Sequence, residues 1–159
     1  MNPRINYNQH SSSLVQKLLE LGQLSAQGSL SPTLNDLVHI RASQLNGCAF
    51  CLDMHVKEAR IHGERELRLY HVPIWRESPL FSEKERAALE WTEAVTKLSA
   101  NGIPDELYGR VREHLSEKEM SDLTFSIGLI NFWNRLNISS PTTPGSLDTM
   151  LGLTKAGLK

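Results

Sequence analysis

Both cysteines of this chain stand close together, as Cys48 and Cys51, and His55 follows four residues after the second. Two thiols at this spacing can close a disulfide, and an imidazole one helical turn away can take up or return a proton. Two cysteines in 159 residues do not make a disulfide framework, so in a reducing compartment the pattern indicates thiol redox chemistry or metal binding. Two alternatives stay open: a pair of buried structural cysteines, and a zinc site for which these three residues supply three of the usual four ligands.

The residues before the cysteines predict how the thiols are presented. Asn46 and Gly47 both tolerate a positive φ, which suits the left-handed position that ends a helix. We therefore expect one helix to end near Asn46 and a second to begin near Cys48, with both thiols in or near its first turn. Unpaired N–H groups and the positive end of the helix dipole favour an anion there, so the thiol pKa should be lowered.

Asp36 and His39 lie on the preceding helix and are candidates for the same site. Asp36 stands twelve residues before Cys48. A tight turn at Asn46-Gly47 would fold the two helices back to back, so that this carboxylate could reach the thiols. His39 points out of the same helix and could face the same cleft. The other four histidines are interpreted as surface or loop residues: His10, His62, His71 and His114.

Helix signals recur along the chain and no strand pattern stands out, so the predicted fold class is all-α, a helical bundle in a single domain. Ser31-Pro32 should begin the helix before the cysteines, and the cysteine helix should end near Ile61. The segments 82–85 and 116–119 are capping boxes. The second opens a helix that is apolar on nearly all sides, which is expected to be central or to lie at a subunit interface.

We divide the chain into a helical arm at residues 1–30, a core at 31–137 and a tail at 138–159. The tail is rich in Ser, Thr, Pro and Gly, and we expect it either to be mobile or to dock on a neighbour. Within the core, Gly128 interrupts the apolar helix. Close packing against another backbone would explain a residue that costs helix stability.

Composition argues against several kinds of partner. The net charge is −1 and the pI about 6.6, which disfavours binding to nucleic acid or to an anionic membrane surface. No apolar run approaches the roughly 18 residues that a membrane span needs. The first residues lack the apolar stretch of a secretory signal, so we expect a cytoplasmic protein. No Gly-rich phosphate loop, Ser-His-Asp arrangement or paired-carboxylate motif stands out, and we expect neither a bound cofactor nor a bound metal.

The segment from Ser43 to His55, SQLNGCAFCLDMH, resembles the core of the alkylhydroperoxidase AhpD-like branch of the carboxymuconolactone decarboxylase family. The resemblance continues through residues 57–60, 82–91 and 130–135, and it covers roughly residues 32–137. It implies an all-helical fold, a homo-oligomer that is often a trimer or a hexamer, and reduction of hydroperoxides through a cysteine pair. It also implies an external dithiol as reductant, which for some members is a lipoyl-bearing protein.

Position by position, the resemblance makes Cys51 the peroxidatic cysteine and Cys48 the resolving one. His55 matches the family's relay histidine, and Asp36 stands where the family has a glutamate. Phe50 stands where the best-characterised members carry a second histidine. We therefore expect a thiol-dependent peroxidase. The alternatives are a lyase or decarboxylase of the same family, whose members commonly act without the intact cysteine pair, and a non-catalytic oligomer that senses oxidants or binds a partner.

Overall fold

Helices make up most of the chain between residues 4 and 158, which are the residues that a computed structural model of the protein describes. Residues 1–3 and 159, parts of the predicted arm and tail, lie outside the described residues. The nine α-helices of the described residues are α1 (Tyr7–His10), α2 (Ser12–Ala26), α3 (Pro32–Asn46), α4 (Ala49–Ile61), α5 (Glu66–His71), α6 (Glu83–Thr96), α7 (Asp105–Arg112), α8 (Glu117–Ser139) and α9 (Asp148–Leu151), with 3₁₀ turns at Val72–Ile74 and Leu153–Ala156. Apart from one isolated bridge between Ser99 and Gly102, no β pairing occurs in this range, which confirms the all-α prediction.

Capping residues set the ends of these helices where the sequence predicted them. The Ser31 side chain accepts a hydrogen bond from the Leu34 N–H at the start of α3, with Pro32 in the first turn. Both capping boxes are formed, at residues 82–85 for α6 and 116–119 for α8. α4 ends at Ile61, also as predicted.

α3 runs through the middle of the bundle and packs against α4, α6 and α8. Its residues Leu37, Val38, Ile40 and Ala42 are fully buried, and they point to several sides of the helix. A helix buried around most of its circumference has to be central. α8 was predicted to be central or to lie at a subunit interface; it leaves one face open to solvent, so the central position is not found and the interface stays a prediction.

The open face of α8 borders an apolar groove of about 630 Å³. Gly128 opens onto this groove, and a Cβ atom added there would meet nothing within 4 Å in the described chain. The close backbone packing predicted for Gly128 is thus not found within the described chain. Large apolar side chains line the groove: Leu18, Leu21, Trp91, Tyr108, Phe125 and Phe132.

The residues after α8 fold back over α4. Residues 141–157, called the C-terminal segment below, place Leu153 in a buried position against the body of the protein. The Gly145 N–H donates to Asp53, and the ammonium of Lys57 lies 2.7 Å from carboxylate oxygens of both Asp53 and Asp148. These contacts fix the segment to the outer side of the cysteine helix. No helix within residues 4–158 combines the length and the apolar character that a membrane crossing requires.

Candidate functional site

The turn between α3 and α4 places the two cysteines. Gly47 takes a left-handed conformation with φ of 72°, its N–H donates to the Gln44 carbonyl, and the Cys48 N–H donates to the Ser43 carbonyl. These two bonds close α3 in a Schellman motif, which reverses the chain within two residues. Cys48 then serves as the N-cap of α4, so the predicted start of the cysteine helix is confirmed.

Cys48 and Cys51 form a disulfide across this first turn, with their Cα atoms 5.3 Å apart. The Cys48 sulfur also accepts a hydrogen bond of 3.3 Å from the Cys51 N–H. One of the unpaired N–H groups at the start of α4 is therefore satisfied by sulfur, in a position where a thiolate would be stabilised. Within residues 4–158 no three His, Cys, Asp or Glu side chains are arranged to hold a metal ion.

The disulfide lies under a hydrocarbon cover. Cys48 is 2% exposed and Cys51 is 1% exposed. The side chains packed around them come from α3, α4, α8 and the C-terminal segment, namely Ala42, Phe50, Met54, Ile130 and Leu147. Both cysteines are therefore almost inaccessible to solvent in this conformation, and buried cysteines were one of the alternatives that the sequence left open.

His55 is buried one helical turn beyond Cys51, on the same face of α4. A hydrogen bond of 2.6 Å joins its Nδ1 to Oε2 of Glu58, which is three residues further along the helix. The Glu58 side chain is 36% exposed, whereas that of His55 is 8% exposed. The imidazole is therefore held by a carboxylate that reaches solvent.

His39 faces the same region from α3, and its ring centroid lies 4.6 Å from that of His55. Its Nε2 is 2.9 Å from Oγ of Ser126, whose hydroxyl donates to Oδ1 of Asn35. Because that hydroxyl proton is committed to Asn35, the network assigns the donor role to Nε2–H of His39. Burial, together with the nearby His55, lowers the pKa of His39 well below its ordinary value, so the ring stays neutral.

Asp36 is buried at the other end of the α3–α4 interface. A hydrogen bond of 2.6 Å joins its Oδ2 to Nδ1 of His62, whose side chain is 43% exposed. Burial raises the pKa of Asp36 above its ordinary value and outweighs the lowering by His62; Glu58 raises it further. The sequence predicted that Asp36 could reach the thiols, and within the described residues its hydrogen bond goes to His62 instead.

Two members of this site were not identified from the sequence. Glu58 is not among the candidates from the sequence, and His62 is interpreted there as a surface or loop residue. The spacing of these residues could have identified them. His55, Glu58 and His62 stand at positions i, i+3 and i+7, which share one helix face. Asp36, His39 and Ser43 follow the same spacing on α3, so two polar stripes meet where the helices pack.

A buried amide cluster fixes α8 to the cysteine turn. Asn46 donates to Oδ1 of Asn131 and of Asn134, and Asn134, which is fully buried, donates to Oγ of Ser43. Asn134 therefore satisfies polar groups at the C-terminal end of α3, immediately before the turn.

In this helical bundle, α3 and α4 are joined by a tight turn and a Cys-x-x-Cys disulfide lies at the N-terminus of α4. These features place the chain in a class of helical dithiol proteins. The carboxymuconolactone decarboxylase family matches residues 14–94. The chain is also 41% identical over 139 residues to the uncharacterized protein YdfG of Bacillus subtilis (strain 168), a match that covers 87% of this chain and 95% of YdfG. The chain therefore belongs to the carboxymuconolactone decarboxylase family.

Solved structures agree with this assignment. A protein of unknown function from Agrobacterium tumefaciens, provisionally named antioxidant defence protein AhpD, has a TM-score of 0.85 at 39% identity, over 90% of this chain and 98% of that one. An uncharacterized peroxidase-related protein from Ralstonia eutropha JMP134, described as an alkylhydroperoxidase AhpD core, has a TM-score of 0.77 over 87% of this chain and 74% of that one. Its 17% identity bears on the fold alone. The AhpD-like helical fold predicted from the cysteine segment is confirmed.

Proposed function

We propose that this chain is a thiol-dependent peroxidase that reduces hydroperoxides by cycling the Cys48–Cys51 pair between dithiol and disulfide. The observation that carries the proposal is the disulfide at the start of α4, with His55 one turn further along the same face. A structural disulfide needs neither a helix N-terminus nor a neighbouring base. A dithiol that must ionise benefits from both.

In the reduced form, the Cys51 thiolate attacks one oxygen of the hydroperoxide and the O–O bond breaks. The leaving oxygen takes up a proton and departs as an alcohol or water, while Cys51 becomes a sulfenic acid. The thiol of Cys48 then attacks the Cys51 sulfur, water leaves, and the disulfide forms. Resolution is effectively unimolecular because the two cysteines belong to one helical turn, which limits overoxidation. An external dithiol supplies two electrons and two protons and becomes a disulfide itself.

His55 is assigned the proton transfers. It takes the proton of the Cys51 thiol and returns one to the leaving oxygen. Asp36 supports these transfers from further along the α3–α4 interface, where it interacts electrostatically with His55 and is hydrogen-bonded to the exposed His62. In this scheme Asp36 acts through its neighbours, without contact with the substrate.

Turnover requires the hydrocarbon cover to open. Among the described residues, Leu147 is the covering residue that belongs to the C-terminal segment; the others lie on core helices. That segment is fixed to α4 by polar contacts of Lys57 and Asp53 and by the buried side chain of Leu153. We assign the opening to this segment because it can move while the helices that carry the cysteines stay in place.

We propose further that the enzyme is cytoplasmic, where reducing dithiols are maintained, and that it self-associates as a trimer or hexamer through the groove beside α8. That groove is apolar and contains exposed aromatic side chains, which are features of interfaces. The reductant is a dithiol, and a lipoyl-bearing protein is the macromolecular form to test first. The scheme involves no nucleic acid and no membrane.

A coupled peroxidase assay with several hydroperoxides and dithiols tests the proposal. The parent protein should turn over, Cys51→Ser should lose reaction with peroxide, and Cys48→Ser should react once and accumulate sulfenic acid. Reversible disulfide formation without turnover on any dithiol would instead indicate an oxidant sensor. Activity that survives loss of both cysteines would indicate a family lyase.

A further inference from the structure

Two carboxylates and two histidines pair along the α3–α4 interface. Glu58 is paired with His55 within α4, and Asp36 of α3 is paired with His62, the residue that caps the C-terminus of α4. Each pair has a hydrogen bond of 2.6 Å, and in each pair one partner is buried and the other reaches solvent. The carboxylate bonded to the histidine next to the disulfide is therefore Glu58 and not Asp36.

The pairing with Glu58 selects one form of the neutral imidazole. A carboxylate can only accept a hydrogen bond, so Nδ1 of His55 must carry the proton. Nε2 then carries the lone pair and forms no hydrogen bond within the described residues. It retains some exposure to solvent, because Nε of Arg60 is the one buried side-chain atom of the described residues that lacks a partner. A lone pair without a partner, on a ring one turn from Cys51, is what a base for that thiol requires.

His39 does not compete for this role. The assigned direction of its bond to Ser126 commits Nε2–H of His39 to the neighbouring α8. Because its ring stays neutral, it places no positive charge beside His55 when His55 takes up a proton. The titratable groups that interact with Asp36 of α3 across this interface are Glu58 and His55 on α4 and His62, which follows α4 directly.

We propose that Glu58 is a positioning residue that holds His55 in the tautomer and orientation needed to accept the Cys51 proton. The inference rests on the proposed function, since it assigns a part in the chemistry of the same dithiol. It differs from what the family resemblance implies, which gives the carboxylate role to the position of Asp36. Glu58 touches neither substrate nor sulfur in this role and acts only through the imidazole.

Alkylation of the reduced protein by iodoacetamide, followed from pH 5 to 9 by mass spectrometry, tests this without any peroxide. Glu58→Gln should slow alkylation of Cys51 at neutral pH by about 10- to 100-fold, because the amide can donate to Nδ1 and move the proton to Nε2. Glu58→Asp should restore part of the rate. Glu90→Gln is the matched control, since Glu90 pairs with Arg110 on α7, away from the site, and it should keep the parent profile.

Two outcomes would overturn the inference. One is a parent-like pH profile in Glu58→Gln, together with a large loss in Asp36→Asn. The other is an equal loss in Glu58→Gln and Glu58→Asp with lowered melting temperatures, which indicates a structural role. The two proposals can fail separately. If the pH profile of Cys51 alkylation depends on Glu58 but the protein turns over no hydroperoxide, the role of Glu58 is supported and the proposed peroxidase function is refuted.

Discussion

Removing one charge from the C-terminal segment should make the disulfide easier to reduce. Asp148 and Asp53 share the ammonium of Lys57, with both oxygens 2.7 Å from Nζ. The Lys57 side chain is 4% exposed, so its contacts are largely shielded from solvent. Asp148→Asn keeps the shape of the side chain and leaves Lys57 paired with Asp53. The substitution therefore weakens only the ion pair that holds the C-terminal segment on α4.

The magnitude follows from the kind of bond that is lost. Hydrogen bonds to charged groups contribute about 1.5–3 kcal/mol. The asparagine carbonyl can still accept a hydrogen bond from the Lys57 ammonium, so we take about 1.4 kcal/mol as the net loss, which corresponds to a tenfold change in an equilibrium constant. If the segment opens rapidly before reduction, the open population rises about tenfold, and the reduction rate rises by the same factor.

Reduction by dithiothreitol, with acid quench, alkylation and mass detection, measures the rate. Leu147→Ala should also accelerate reduction, because it thins the cover directly, whereas Glu90→Gln should not. Hydrogen exchange of residues 141–157 reports the opening independently. Faster exchange in Asp148→Asn with an unchanged reduction rate would refute the assignment of this segment as the part that opens.

Three further changes test other parts of the structure. Gly128→Ala and Gly109→Ala should each raise the free energy of unfolding of the isolated chain by about 1 kcal/mol, measured by thermal denaturation, because neither added Cβ atom meets another atom. In light scattering, only Gly128→Ala should weaken self-association, because Gly128 lines the groove beside α8. Acidification below the ordinary His39 pKa of 6.5 should reduce the free energy of unfolding by up to about 1.4 kcal/mol per pH unit, because the unfolded chain takes up a proton there and the folded chain does not. His39→Gln should flatten this dependence in melts at pH 7.5 and 5.5. Asn134→Ala should cost about 2–3 kcal/mol in urea denaturation, because it leaves the buried Ser43 hydroxyl without its amide donor.

The helix ends around the disulfide could be predicted because their signals are local. Ser31 caps α3 and Gly47 reverses the chain, and both depend on φ preferences and side-chain acceptors within a few residues. The position of Cys48 at the start of α4 follows from the same signals. An all-helical fold with a cysteine pair that can form a disulfide could therefore be predicted from the sequence.

The partners of the titratable side chains were not predictable in the same way. Asp36 belongs to one helix and its histidine to the next, so their pairing depends on the register in which α3 and α4 pack. Part of the cover over the disulfide comes from Leu147, which lies almost a hundred residues further along the chain. The composition of that tail is polar and rich in turn formers, which does not reveal where a single half-buried leucine packs.

The packing of α3 on α4 explains how one interface serves both stability and chemistry. α3 is buried on several sides, so side chains that face α4 lose water whether or not they are apolar. For Asp36 and His39 this burial favours the neutral form in both cases, raising one pKa and lowering the other. The interface therefore disfavours the ionised forms of Asp36 and His39, whereas Glu58 beside His55 reaches solvent. If protons move along this interface, they should enter and leave through the two exposed partners, Glu58 and His62.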